Sequence, residues 1–317
     1  MRLSFWYIFT ISNQAGDSVN NYKRIYIVET YMDTIVSKEE LIKKAGDINV
    51  LPSVARKILE ALGDESFSIN DLEHIIETDQ ALAVKVLKIS NSALYGLPQE
   101  ITSLQQALMV LGVKTIKSLV LSISTKSLYN KFGITEKKMW EHSVGAAFAS
   151  GLLSAGHGRA VADMAFIGGL MHDLGKVFMN NETPEAFSEV MMKTYNDRAG
   201  SIEAEEEVYG YNHAEIGAAL AGKWGFPSML AQIIGMHHLN NTTLENIDDT
   251  VTAKGVACVN LANYFCKSLG IGYREPDESI ELHTLSSAVF LKIESERADQ
   301  LKKEIMETYE NEKSVFE

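Results

Sequence analysis

Apolar positions recur at three- and four-residue spacings almost without interruption from residue 38 onward. That is the period of amphipathic helices, and no long alternating stretch of the strand kind accompanies it. SKEELIKKAG (37–46) opens on a serine cap and stops at Gly46, and LPSVARKILEALG (51–63) carries Pro52 in its first turn and stops at Gly63. SINDLEHIIET (68–78) has Ser68 and Asp71 at capping-box spacing. DQALAVKVLKISNSALYG (79–96) places Leu82, Val86, Ile89 and Ala93 on one stripe. SLQQALMVLG (103–112) and VKTIKSLVLSISTKSLYN (113–130) follow, with Asp79 and Ser103 as candidate N-caps. Asn91-Ser92 reads as a helix end whose side chains compete for backbone hydrogen bonds.

The second half continues in the same period. TEKKMWEHSVGAAFASGLLSAG (135–156) is rich in small residues that let helices approach closely, and ADMAFIGGLMHDLGKVFM (162–179) is apolar nearly all round, as a central buried helix would be. NETPEAFSEVMMKTYN and SIEAEEEVYG read as amphipathic outer helices, the acidic run 203–208 being their solvated face. HAEIGAALAGKWG (213–225), PSMLAQIIGMHHL (227–239) and VTAKGVACVNLANYFCKSLG (251–270) complete the pattern, with Trp224 on an apolar face. NNTTLENIDD (240–249) is a polar loop, and the tail from about Leu285 is amphipathic and charge-rich. The fold class expected is all-α: a multi-helix bundle with an N-terminal helical lobe. KFGIT interrupts two helices near 130–135, so the expected organisation is a lobe over 32–132, a second over 133–284 and a C-terminal amphipathic helix over 285–317.

Composition narrows the class. The chain has 317 residues, 46% of them hydrophobic, and is long enough for a large core. Its net charge of -13 repels phosphate backbones, so no broad nucleic-acid-binding surface is expected. Cys258 and Cys266 lie eight apart with no CxxC spacing and read as buried free thiols, consistent with a cytoplasmic protein. The N-terminal apolar run of MRLSFWYIFTIS is shorter than the ~20 residues a membrane-spanning helix needs. Residues 1–31 are expected to be a loosely attached extension or an upstream start of the reading frame, with Met32 just before the first helical pattern.

The candidate chemistry sits in the apolar helix that contains GGLMHDLGKVF, where His172 and Asp173 stand side by side and Lys176 follows. His142, His213, His237 and His238 lie on neighbouring predicted helices, and Asn263 on the next apolar one. Unpaired polar groups in such surroundings are costly, and a metal would satisfy them. Imidazole and carboxylate ligands suit iron, manganese or zinc. The alternative is a hydrogen-bonded, inert pair. His213 can equally flank a helix start, His237-His238 can be an exposed helix end, and Lys176 can be a solvated lysine. His74, His157 and His283 have no companions and read as surface residues.

The order H…HD…H…HH resembles the HD superfamily of metal-dependent phosphohydrolases, and HDLGK resembles its HD-GYP branch, which cleaves cyclic di-GMP. A fuller resemblance is to the HDOD domain, the HD-related output domain. It is carried by LPSVARKILEAL, DQALAVKVLKISNSALYG, SLQQALMVLGVKTIKSLVL and NHAEIGAALAGKWGFP followed by HH, from about residue 44 to about 265. The resemblance implies an all-helical fold and a role in bacterial signalling. It puts His142, His172, Asp173, His213, His237 and His238 on metal-ligand positions for one or two divalent ions, and Lys176 on a lysine that holds substrate phosphate. Asn263 stands where that pattern has an aspartate, and HHLNNTTLENIDD replaces the HHxxxxGxGYP stretch of HD-GYP proteins. Two functions follow from this. One is a regulatory HDOD protein that keeps a metal site and binds a signalling partner or a small phosphorylated ligand. The other is a metal-dependent phosphohydrolase acting on a nucleotide or cyclic dinucleotide, with Asp173 and Lys176 in its catalytic machinery.

Overall fold

The computed structural model describes residues 36–45, 52–60, 68–92, 97, 99–129, 133–196, 200–239, 244–272 and 275–316. The expectations for residues 1–31 and for the stops at Gly46 and Gly63 lie outside them. Every described element is helical and no strand occurs among the described residues. In chain order the helices are α1 (Lys38–Ala45), α2 (Ser53–Glu60), α3 (Ile69–Glu77), α4 (Gln80–Ser90), α5 (Leu104–Leu111) and α6 (Val113–Ser124), the last running into a 3-10 turn over Thr125–Tyr129. Then come α7 (Ile134–Ser154), α8 (Arg159–Met171), α9 (Leu174–Glu182), α10 (Pro184–Asn196), α11 (Ser201–Tyr209) and α12 (His213–Lys223). The last four are α13 (Ser228–Met236), α14 (Thr250–Leu269), α15 (Ser286–Phe290) and α16 (Ser295–Glu312).

The local signals act as their chemistry dictates. Ser68 and Asp71 form the reciprocal capping box of α3, Asp79 accepts from the Leu82 amide, and Ser103 accepts from that of Gln106. Asn91 caps the C-terminal end of α4, and its side chain both accepts from the Ile101 amide (2.7 Å) and donates to the Ile101 carbonyl (2.7 Å). The residue thus clamps the segment leading to α5.

The centre of the molecule is α7, α8 and α14, packed on one another and buried along most of their lengths. Small residues set how near they come. A Cβ on Gly169 would stand 2.5 Å from the Ala146 carbonyl oxygen, so α7 and α8 cross with almost nothing between their backbones. α12 and α13 pack as a pair, α13 on α8 and α14, and α12 against α9. α6 docks on α8, where Thr115 donates to Asp163 (2.9 Å). α16 packs on α7 with Ala298, Leu301, Ile305 and Tyr309 as its buried residues, and Trp140 donates to the Phe316 carbonyl (3.2 Å). Trp224 is buried, and Cys258 and Cys266 are buried free thiols.

One element departs from the expected pattern. The run 162–179 is two helices, α8 and α9, which part at His172-Asp173. Asp173 has φ -94° and ψ 11°, outside the helical region. In an unbroken helix neighbouring side chains point about 100° apart. The break frees His172 and Asp173 to face one place.

Candidate metal centre

Four separate helix ends and one helix middle deliver the polar side chains. His142 lies within α7, His172 caps the C-terminal end of α8, and Asp173 precedes α9. His213 is the first residue of α12, whose N-cap is Asn212, and His237 and His238 follow the last turn of α13. His172, His213 and His237 are fully buried, Asp173 and His142 nearly so, and His238 is half-buried. The six residues that the sequence sets apart as candidate histidine and aspartate ligands converge.

They form two donor groups that share Asp173: His142, His172 and Asp173 in one, and Asp173, His213, His237 and His238 in the other. Within each group the ligating atoms lie within 4.8 Å of one another. Asp173 Oδ2 is 3.4 Å from His172 Nε2 and 3.8 Å from His142 Nε2. Asp173 Oδ1 is 3.2 Å from His213 Nε2 and 3.9 Å from His237 Nε2.

The outer ring nitrogens decide the protonation pattern. His172 Nδ1 donates to the Gly169 carbonyl (2.7 Å), His237 Nδ1 to that of Ile234 (2.7 Å) and His142 Nδ1 to that of Ile271 (3.3 Å). A carbonyl only accepts, so each of these rings carries its proton on Nδ1 and, when neutral, a lone pair on Nε2. The neutral state is favoured. Burial lowers the His172 and His237 pKa, and burial together with His172 brings that of His142 to about 3. His238 is lowered by burial and by His237 and His213. Bare lone pairs therefore face each other, with His142 Nε2 and His172 Nε2 3.2 Å apart. Such an arrangement fits a cation between the rings.

His213 differs. Burial works to lower its pKa, but the Glu205 carboxylate and Asp173 outweigh burial and raise it. Its Nδ1 donates to Glu205 Oε2 at 2.6 Å, and its amide donates to the same oxygen at 2.7 Å. This is the carboxylate–histidine arrangement that fixes a ligand's ring and strengthens its other nitrogen as a donor. His213 Nε2 faces His237 Nε2 at 3.3 Å and His238 Nε2 at 3.1 Å. Asp173 is desolvated, yet His172, Lys176 and His213 hold its carboxyl well below the usual range, so it is ionised. Lys176 Nζ lies 2.9 Å from Asp173 Oδ1 and 3.0 Å from Oδ2, and its side chain is only 14% exposed. The solvated reading of Lys176 does not hold, because a buried anion one turn away draws the amine inward.

Asn263 belongs to the α14 face that also carries Asn260 and Lys267. Asn260 donates to the His237 carbonyl (2.7 Å), and the charge of Lys267 acts on Asp173 and Lys176. Asn263 is buried, and its Oδ1 has no hydrogen-bond partner. Glu205 is a correction to the sequence reading, in which the whole acidic run is solvated. Glu203, Glu206 and Glu207 are exposed, whereas Glu205 is 1% exposed. The signal is present in the sequence, since Ile202, Glu205 and Tyr209 share one stripe at spacings of three and four and are all buried. His74 and His283 are exposed and His157 half-buried, away from the cluster.

Comparison with known proteins agrees with this architecture. Over 221 residues the chain is 26% identical to an uncharacterized protein of Treponema pallidum (strain Nichols), covering 67% of this chain and 41% of the relative. It is 37% identical over 75 residues to the uncharacterized protein YuxH of Bacillus subtilis (strain 168), covering 24% of this chain and 18% of that one. The chain spans less than half the length of these curated relatives. Among solved structures, an HDOD domain protein of unknown function from Geobacter sulfurreducens superposes with a TM-score of 0.65 at 22% identity, over 93% of this chain and 99% of that one. A Shewanella amazonensis protein provisionally named a metal-dependent phosphohydrolase gives 0.57 at 19% identity, over 88% and 99%. A Marinobacter aquaeolei protein provisionally named for signal transduction gives 0.56 at 16%, over 94% and 66%. At these identities the likeness shows the fold. The HDOD domain family itself matches residues 48–240, more than half of the sequence, and the chain belongs to that family.

Proposed function

We propose that this protein is a regulatory HDOD protein that keeps a metal centre and acts by binding a signalling partner or a small ligand. Membership of the HDOD family supports the regulatory role. One observation carries the metal: neutral imidazoles whose Nδ1 atoms are committed to carbonyls turn their Nε2 lone pairs on one another around an ionised carboxylate common to both donor groups. His142, His172 and Asp173 would hold one ion and Asp173, His213, His237 and His238 a second, with iron, manganese or zinc suited to such donors. Asn263, whose buried oxygen has no hydrogen-bond partner, would bring the centre no charge, leaving one carboxylate where the resembling pattern has two.

A second reading, a metal-dependent phosphohydrolase, is favoured by Lys176. Its amine sits beside the shared carboxylate, where it can neutralise a phosphate oxygen and orient it. A bound divalent metal supplies Lewis acidity and an acidified water. What the chain itself supplies is the pairing of Lys176 with Asp173 and the Glu205 hold on His213.

Elemental analysis of protein purified without chelator tests the first reading. Stoichiometric metal is expected in the wild type and loss of it in the His172→Ala, Asp173→Ala double variant. A wild-type protein without metal would sink the proposal. Hydrolysis of cyclic dinucleotides, nucleotides or generic phosphodiesters that disappears in the double variant would establish the second reading instead.

A further inference from the structure

The first described helix, α1, packs on α12 and α9. Those two helices bring the candidate ligands His213 and Asp173, at the start of α12 and just before α9. The contacts of α1 flank His213. Two residues before it, the Tyr211 hydroxyl donates to the Val36 carbonyl (2.8 Å), and two residues after it, Glu215 pairs with Lys38. At the far ends, Lys223 of α12 donates to the Ile42 carbonyl (3.1 Å), and Lys44 Nζ lies 3.9 Å from Glu182 of α9. Leu41 is the fully buried side chain of α1. α1 thus spans two helices whose approach is already tight. A Cβ on Gly175 of α9 would run into the His213 carbonyl, and Asp173 Oδ1 stands 3.2 Å from His213 Nε2.

We propose that α1 is a detachable clasp on the metal centre. Docked, it holds α9 and α12 in the register in which Asp173 and His213 share an ion, and a bound ion holds α1 down in return. The inference rests on the metal reading above and adds its regulation. The hold is of the kind that lets go. α1 has eight residues, fewer than the ~12–15 that keep a lone helix folded in water, so it unfolds when it leaves its platform. Its two ion pairs are well exposed to solvent, at 38% and 44% for Lys38 and Glu215 and 47% and 33% for Lys44 and Glu182, and exposed pairs hold weakly. What remains is one apolar anchor, Leu41, and hydrogen bonds to two carbonyls of the segment. A segment with so few buried contacts opens locally, without the core. Coupling of this sort is reciprocal. A signalling partner that draws α1 away therefore loosens the ion by the same factor by which the ion resists the partner.

Hydrogen exchange of the full chain tests this, in the chelator-stripped form and after loading with iron(II), manganese(II) or zinc(II). The amides of residues 41–45 are expected to exchange about tenfold more slowly in the loaded form. Those of α3, which packs on α4, α5 and α6, are expected to stay unchanged. Leu41→Ser removes the apolar anchor. It is expected to free α1 to exchange and to weaken the metal about tenfold in a competitive chelator titration, with the helical circular dichroism signal kept. The two wild-type forms decide the matter even where Leu41→Ser does not fold. Equal exchange of α1 in both forms would overturn the clasp. So would slowing shared equally by α3, which is what a metal that stabilises the whole chain produces. So would a Leu41→Ser protein that holds metal as tightly as the wild type while α1 exchanges freely. These three outcomes leave the metal reading in place, whereas a protein that takes up none of the three metals overturns both.

Discussion

At the scale of single residues, the centre is organised by what each histidine does with its outer nitrogen. His172, His237 and His142 spend theirs on backbone carbonyls, whereas His213 spends its own on a carboxylate. Glu205 is therefore a side chain outside the ligand set that acts directly on one of its members. Glu205→Gln keeps the shape and removes the charge. It is expected to lower metal affinity about 10- to 100-fold in a competitive chelator titration, with the helical circular dichroism signal intact. An unchanged affinity would show that the charge of Glu205 does nothing for His213 as a ligand. Asn91 works in the same local way away from the site. Asn91→Ala removes both hydrogen bonds to Ile101 and is expected to cost about 1–3 kcal/mol in urea unfolding, because two backbone groups of Ile101 lose their partner.

At the scale of elements, the site depends on how closely helix ends approach. α9 meets the start of α12 at Gly175, where a Cβ would run into the His213 carbonyl, well inside van der Waals contact. Gly175→Ala is expected to destabilise the protein by about 3 kcal/mol and to weaken metal retention, since the backbone that must yield is that of a ligand. Gly222, on the same helix α12, has open space where a Cβ would stand and no positive φ, so Gly222→Ala is expected to stabilise by about 0.5 kcal/mol. Urea midpoints moving in opposite directions for the two variants would check this; a common direction would refute it. The helices themselves are legible in the sequence because capping chemistry is local. Ser68 with Asp71, Asp79 and Ser103 bond within three residues of themselves, and no distant contact can change that. The break at His172-Asp173 is not legible. Its apolar flanks continue the helical period straight through, whereas in the structure the chain turns there and α9 packs against α12.

At the scale of the whole molecule, burial of titratable groups sets an alkaline limit. Burial pushes the Cys258 thiol up to about 12 from 9.0, and burial pushes the Tyr211 hydroxyl up to about 12 from 10.0. Between pH 9 and 12 the unfolded chain releases protons that the folded chain keeps, so the unfolded state binds fewer protons and stability falls as pH rises. The urea midpoint is expected to decline from pH 8 to pH 11, and less steeply in Cys258→Ala; equal slopes would remove Cys258 from the account. No single described helix is long and apolar enough to cross a membrane.

By itself the sequence determined the helical class, the caps, the family and the list of residues worth watching, because periodicity and capping are properties of short stretches and the family pattern is a linear order. Only the tertiary structure decided which of those residues meet. It took Lys176 and Glu205 off the solvated surface, gave Asp173 to two donor groups at once and joined Thr115 to Asp163 across 48 positions. The last two and the Glu205–His213 pair are contacts between helices, which depend on how the helices pack and which no local pattern encodes; Lys176 reaches Asp173 within one turn, but only packing buries the carboxylate that holds it there.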